Sequence, residues 1–297
     1  MRVAVTGATG FLGRYIVNHL VGTGFRCRCW FRPQSDRGGF EGSADHIEWL
    51  PGDLTDHGSM SAVVEGADAV VHAALYREGA GFRGAEGDLP TFVERNVMGT
   101  LRLIEASQNA GVRRFVFIST CAVHEEILDD RKLDETHPVW PKTHYGAHKA
   151  AIEMFIHSFG LGRGFDISAL RPTGIYGLAR PASASKWYDV VQRVARGEDV
   201  ASAAGGKEVH AADVARAVEL LLRADGVAGR SFNCYDLYVA EQDVAEIAKR
   251  LTGSPSRIER LNRGPKHQID TSRIRALGMT FGGRSRLEAT IRQLVDS

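Results

Sequence analysis

Hydrophobic and polar positions along the first 170 residues switch repeatedly between two periods. Arg2-Val3-Ala4-Val5-Thr6 is a short β-branched run, and Gly7 to Gly13 breaks it. From Phe11 to Val21 the apolar residues recur at helical spacing. Arg26 to Phe31 reads as a second strand ending before Pro33, and Asp45 to Leu50 as a third. Ala69 to Ala74 and Arg114 to Ser119 are near-continuous apolar runs, the pattern of parallel strands buried on both faces. The spacing predicts helices over 96–109 and 142–159. A further strand at Asp166–Leu170 is stopped by Arg171-Pro172. Strand–helix alternation of this kind predicts an α/β protein with a doubly wound parallel sheet and right-handed crossovers.

The second half is less regular. Residues 174–206 read as loop-rich, with one helix over 185–196, and helices are expected over 214–223, 241–251 and 286–295. The expected division is a nucleotide-binding domain over 1–172, rejoined by segments near 208–235. A smaller C-terminal substrate-binding lobe would take most of 173–297. Glu78 to Pro90 carries glycines at 79, 81, 84 and 87 and reads as a mobile loop.

Charge narrows the function. The 37 basic and 36 acidic residues leave a formal net charge of +1, which argues against nucleic acid or an anionic membrane as partner. No apolar run reaches the ~20 residues of a membrane span. The first residues, MRVAVTGATG, do not have the pattern of a signal peptide. Cys27, Cys29, Cys121 and Cys234 are scattered and form no CxxC pair. Reduced thiols, no metal site and a cytoplasmic location are the expectation.

The break after the first strand carries chemistry. Gly7, Gly10 and Gly13 in Thr6-Gly-Ala-Thr-Gly-Phe-Leu-Gly13 allow a tight turn, close approach to a pyrophosphate, and close helix–strand packing. The helix that follows offers free amides and the positive end of its dipole to the phosphates. Strand before and helix after supply the context this motif needs, so the sheet is expected to be Rossmann-type. An acid at the end of the second strand would suit the ribose of NAD, and an arginine the 2′-phosphate of NADP. The chain has Phe31-Arg32 there and no acid until Asp36, which favours NADP with NAD as the alternative. Arg14, one turn into the first helix, either assists or faces water.

Tyr145 and Lys149 are four apart on a predicted helix and so share a face. A tyrosine with a pKa near 10 is a poor base at neutral pH, and a neighbouring ammonium stabilises its phenolate. Ser119 or Thr120, at the end of a strand, can hold a carbinol or carbonyl against it.

In order, TGATGFLG, GDLTD (52–56), VHAA (71–74), NVMGT (96–100), FIST (117–120), Tyr145 with Lys149, and RPTGIYG (171–177) resemble the extended short-chain dehydrogenase/reductase family, in its NAD-dependent epimerase/dehydratase group. The resemblance implies a Thr120–Tyr145–Lys149 triad. It also implies cofactor contacts from the glycine turn with Thr9, Phe11 and Leu12, from Arg32, Asp53, Leu54, Ala73 and Ala74, and from Asn96, Tyr145, Lys149 and Pro172. A homodimer through the 96–109 and 142–159 helices is implied as well. Three departures stand out. His124 replaces the family's usual tyrosine, and His148 stands before the lysine where serine is common. With His144, His148 flanks Tyr145, and both imidazoles are expected on the helix surface, with a proton relay as the alternative. Cys121-Ala122 replaces the Asp-Glu pair of nucleotide-sugar 4,6-dehydratases, and Glu125 and Glu126 fall too far along to substitute. The arginine that meets a diphosphate in sugar-nucleotide epimerases is also missing near 205–214, where Lys207 or His210 would have to compensate. Lys186, Trp187 and Tyr188 are further pocket candidates, or simply an amphipathic helix face.

The expected activity is hydride transfer between a nicotinamide and a small-molecule secondary alcohol or ketone. A sugar or sugar-nucleotide epimerase with transient oxidation is the alternative, and a non-catalytic NAD(P)-sensing protein a third reading.

Overall fold

The computed structural model describes residues 1–79 and 84–297. The glycine-rich 78–90 segment, expected to be mobile, therefore lies partly outside the described residues.

Strands β1 (Arg2–Thr6), β2 (Arg26–Phe31), β3 (Ile47–Pro51), β4 (Ala69–His72), β5 (Arg114–Ile118) and β6 (Asp166–Pro172) form the central sheet. The strands β7 (Gly174–Tyr176), β8 (Val200–Ser202) and β9 (Gly205–His210) follow, and β10 (Arg230–Cys234) returns to the central sheet as its edge. The order is β10-β6-β5-β4-β1-β2-β3, with every neighbouring pair parallel. Because β1 and β4 lie side by side, the strand order reverses between them, and α/β sheets bind ligands at that point. Successive side chains go to opposite faces. Val3, Val5, Val71 and Val116 enter one core, while Ala4, Val70, Phe115 and Phe117 enter the other. This explains the absence of polar alternation in those runs.

Helices α1 (Phe11–Gly22) and α7 (Ala211–Arg223) pack on each other over the first face. On the second face lie α2 (His57–Val64), α4 (Gly99–Asn109) and α5 (His144–His157). The helix expected over 96–109 is longer. It begins with α3 (Leu89–Val93), passes through a π-type turn at Glu94–Met98, and continues as α4. The helix expected over 142–159 is α5 followed by a second π-type turn, Ser158–Gly162.

The loop-rich 174–206 region contains β7 and β8, leads into β9, and holds helix α6 (Tyr188–Ala195). Strand β11 (Leu237–Ala240) pairs antiparallel with β9, which runs parallel to β7. A third core is built from α6, α8 (Glu241–Thr252) and α10 (Gly283–Val295). The remaining strand β12 (Ile258–Arg260) pairs with β8. Helix α9 (Ser272–Ala276) instead sends Ile274 into the first core, against the central sheet. All four cysteines are free. Among the described residues no helix is long and apolar enough to cross a membrane.

Candidate active site

A cleft of about 1330 Å³ runs across the carboxyl ends of the central strands. Its nucleotide end is made of backbone. Gly7 has φ +72°, and a Cβ there would lie 2.7 Å from the Ala73 carbonyl and the Ala74 amide. A Cβ on Gly13 would lie 2.1 Å from the Gly7 carbonyl oxygen. The cap of α1, Gly10, brings no side chain to the helix end, and the first turn carries no acid. The first-turn amides are thus left for an anion, and the cradle fits a pyrophosphate.

Thr9, Phe11, Leu12, Asp53, Leu54, Ala73 and Ala74 line the same cleft. Asp53 accepts from the Thr55 hydroxyl (2.6 Å) and amide (2.7 Å), which hold its carboxyl below the usual range. Arg32 is exposed at the rim, and its guanidinium meets no carboxylate among the described residues. Arg14 does not simply face water. It donates to the Thr9 carbonyl (2.5 Å), the Gly38 carbonyl (3.0 Å) and Asp36 (3.1 Å). Arg180 reaches the same Asp36 carboxylate at 3.1 Å.

The reacting end is made of side chains. Thr143 caps α5 by accepting from the Gly146 amide at 3.1 Å. Tyr145, Lys149 and Glu153 then follow at four-residue steps along one face. The Lys149 ammonium donates to the Ile118 carbonyl (2.8 Å) and lies 4.4 Å from the Phe117 ring centroid. Burial pushes its pKa down to about 7, against the opposing pull of Glu153. Thr120 and Tyr145 line the cleft with it. The two candidate hydroxyls differ in engagement. Ser119 Oγ donates to Glu153, whereas Thr120 Oγ1 accepts from the Ala122 amide (3.1 Å) and, among the described residues, makes no other hydrogen bond.

Beneath these groups lies a buried ionic network. Arg171 donates to Glu153 Oε2 through Nε (2.9 Å) and Nη2 (2.5 Å), and Ser231 donates to the same oxygen at 2.9 Å. Arg171 Nη1 donates to His124 Nε2 (3.0 Å), so His124 Nδ1–H is left to donate to the Pro138 carbonyl (3.1 Å). His124, at the family's tyrosine position, is therefore part of the floor, and its burial pushes its pKa to about 4. The repeat Tyr145–Lys149–Glu153 and the arginine of RPTGIYG were the sequence signals for this network.

Every residue expected in the triad or at the cofactor lines the cleft except Asn96. Asn96 is buried in the π-type turn, where it accepts from the Tyr76 amide (2.8 Å) and donates to the Tyr76 carbonyl (3.0 Å). Its own carbonyl accepts from Thr100, which continues through His72 to Thr6. Asn96 thus braces the Ala74–Arg77 wall from behind.

Other expectations need correcting. His148 is buried against Phe92, not on the helix surface, because the residue before Lys149 faces α3; His144 is exposed. Burial and the Lys149 charge push His148 to about 2. Glu125 does reach the cleft, because the 3₁₀ turn Cys121–Val123 folds the chain back. There it accepts from the Lys142 and Thr143 amides (2.6 and 2.8 Å), while Glu126 is exposed and pairs with Lys142 Nζ. Lys186 pairs with Glu208 at 2.5 Å, Trp187 and Tyr188 pack on the third core, and none of the three lines the cleft. His210 caps α7 by accepting from the Ala212 amide (3.0 Å), whereas Lys207 does line the cleft.

A dinucleotide cradle beside a hydroxyl, a phenol and a buried ammonium defines a class of nicotinamide-linked enzyme. Residues 3–234 match the NAD dependent epimerase/dehydratase family, and the chain belongs to it. The chain is 30% identical to the sterol demethylase protein B of Methylococcus capsulatus, covering 86% of this chain and 76% of that protein. The structure is similar to the Thermus thermophilus UDP-glucose 4-epimerase in complex with NAD (TM-score 0.79, 25% identity, 100% and 98% of the two chains). It also matches the fold of a UDP-N-acetylglucosamine 4-epimerase from Methanobrevibacter ruminantium (TM-score 0.82, 21% identity, 99% and 97%).

Proposed function

We propose that the protein is an NADP-linked dehydrogenase/reductase of secondary alcohols and ketones. The observation that carries this reading is that Thr120, Tyr145 and the buried Lys149, whose ammonium is held on the Ile118 carbonyl, all line one cleft. When bound, the nicotinamide supplies or accepts a hydride at its C4. The chain's own residues handle the proton and the geometry. Thr120 Oγ orients the substrate oxygen. In the oxidation direction Tyr145 Oη takes the hydroxyl proton as the hydride leaves the same carbon, and it returns that proton in reduction. Lys149, held on the Ile118 carbonyl, stabilises the phenolate.

Tyr145→Phe tests this. Turnover of a carbonyl panel falls about 10²- to 10⁴-fold while cofactor binding by fluorescence titration holds. Retained turnover would overturn the mechanism.

The 2′-phosphate reading rests on Arg32, exposed at the cleft rim, and on Asp36, already engaged by Arg14 and Arg180. A sugar-nucleotide epimerase cycle is the second reading, favoured by the full-length likeness to the Thermus epimerase. Interconversion without net cofactor change would select it. Exposed Leu89, Val93, Met98, Met154 and Phe155 on the α3–α5 surface support a homodimer through those helices. A monomer in light scattering would refute it.

A further inference from the structure

Past Thr120 the cleft continues between Ile127, Leu133, Ile175, Lys207 and Ile269. Four of these five side chains are aliphatic. Leu133 and Ile269 are fixed to one another by a backbone bridge, with the Asp270 amide donating to the Leu133 carbonyl at 2.9 Å. The fifth, Lys207, comes from β9, whose neighbour β7 brings Ile175 to the same wall. Lys207 is half-buried, and its ammonium makes no hydrogen bond or ion pair with any described residue.

Neighbouring lysines differ. Lys186 is on Glu208 (2.5 Å), Lys142 on Glu126, and Lys266 on Asp129 (3.4 Å). A half-buried ammonium without a counterion carries a desolvation cost that an anionic ligand relieves. Lys207 lines the same cleft as Cys121 and the Thr120 that precedes it. An anion on Lys207 is therefore one small molecule away from the reacting groups. A diphosphate would want several donors, but of the charged groups near Lys207 on the cleft lining Glu125 is a carboxylate, and the Lys142 ammonium beside it is already paired with Glu126.

We infer that the substrate is an apolar hydroxy or oxo acid. Its aliphatic body lies against Ile127, Ile175 and Ile269, its single carboxylate pairs with Lys207, and its carbinol or ketone carbon faces Thr120 and Tyr145. The last clause rests on the carbonyl chemistry proposed above; the anion site does not.

Calorimetric titration of the cofactor-saturated protein tests it without turnover. The probes are oxocyclohexanecarboxylate and lithocholate, each beside its methyl ester, with uridine diphosphate as competitor. At least one acid should bind about tenfold tighter than its ester. Lys207→Met should erase that preference and Lys207→Arg keep most of it. Equal binding of acid and ester, absence of binding by both acids, or a preference that survives in Lys207→Met overturns the inference. So does uridine diphosphate binding that depends on Lys207, which would return the site to nucleotide sugars. Tyr145→Phe, run alongside, should leave the acid preference in place. A surviving preference with unimpaired turnover in that variant would sink the carbonyl mechanism alone.

Discussion

The two ends of the cleft are built from different materials. At the nucleotide end the contacts are backbone: the Gly7 turn, the uncapped first turn of α1, and the close approach of Gly13 to Gly7. At the reacting end they are side chains held by other side chains, with Lys149 over Phe117 and Ser119, Ser231 and Arg171 gathered on Glu153. A backbone site fails when a Cβ is added. A side-chain site fails when one partner of a pair is removed.

The largest effect is expected at the reacting end. Glu153→Gln leaves the Arg171 guanidinium buried without its carboxylate, at a cost of about 3–5 kcal/mol. Urea unfolding reads it as a lower midpoint at unchanged slope. Replacing both partners, as Glu153→Leu with Arg171→Met, should cost clearly less. A double variant as unstable as the single one would show that the network specifies the floor in another way.

Acid should strike the same end. His72 and His148 are buried neutral, with folded pKa values near 3 and 2, pushed down by burial and by the Lys149 charge. The unfolded chain takes up protons near 6.5, so it binds more protons than the fold below that pH. The associated stability is complete above about pH 6.5 and is lost as pH falls toward the folded values. At pH 5 this amounts to roughly 2 kcal/mol for each imidazole. His148→Asn should flatten the acid limb of a stability–pH curve, and an unchanged limb would remove His148 from the account.

The nucleotide end answers to volume instead. Gly13→Ala forces a Cβ toward the Gly7 and Ala8 carbonyl oxygens, and something must shift. A loss of about 1–3 kcal/mol in stability is expected, and fluorescence titration should show weaker cofactor binding than Lys149→Met gives. Equal losses in the two variants would erase the contrast between the ends.

The same contrast explains what the sequence could tell. Gly7 is legible because few residues tolerate its positive φ, Gly13 because a Cβ there would meet the Gly7 carbonyl, and Tyr145 with Lys149 because four residues make about one helical turn. The central strands were legible from runs such as Ala69 to Ala74, which local pattern determines. The Asn96 brace on Tyr76, the burial of His148 against Phe92 and the entry of Glu125 into the cleft were not. Each depends on a π turn, a helix packing angle or a 3₁₀ turn that brings together residues with no local pattern. The small β11-β9-β7 sheet escaped for a similar reason, since three- to six-residue strands carry too little periodicity to read.

The smallest expected effect bears on a cluster of charged side chains at the nucleotide end. Three guanidinium groups, Arg14, Arg32 and Arg180, line the cleft beside one carboxylate, Asp36. Arg14 and Arg180 both bond Asp36, and the Gly38 amide holds that carboxyl below its usual range. Asp36 is therefore already engaged and ill placed to accept from a ribose hydroxyl, while Arg32 is open to a phosphate. Arg32→Ala should weaken NADPH binding about tenfold and leave NADH unchanged. Asp36→Asn should act oppositely, freeing two guanidinium groups and removing a negative charge from the phosphate's surroundings. NADPH would then bind tighter, more so at low salt. If Arg32→Ala leaves both nucleotides alone and Asp36→Asn weakens NADH, Asp36 reads the ribose. The cofactor is then NAD, and the arginines around Asp36 serve to hold that carboxylate in place.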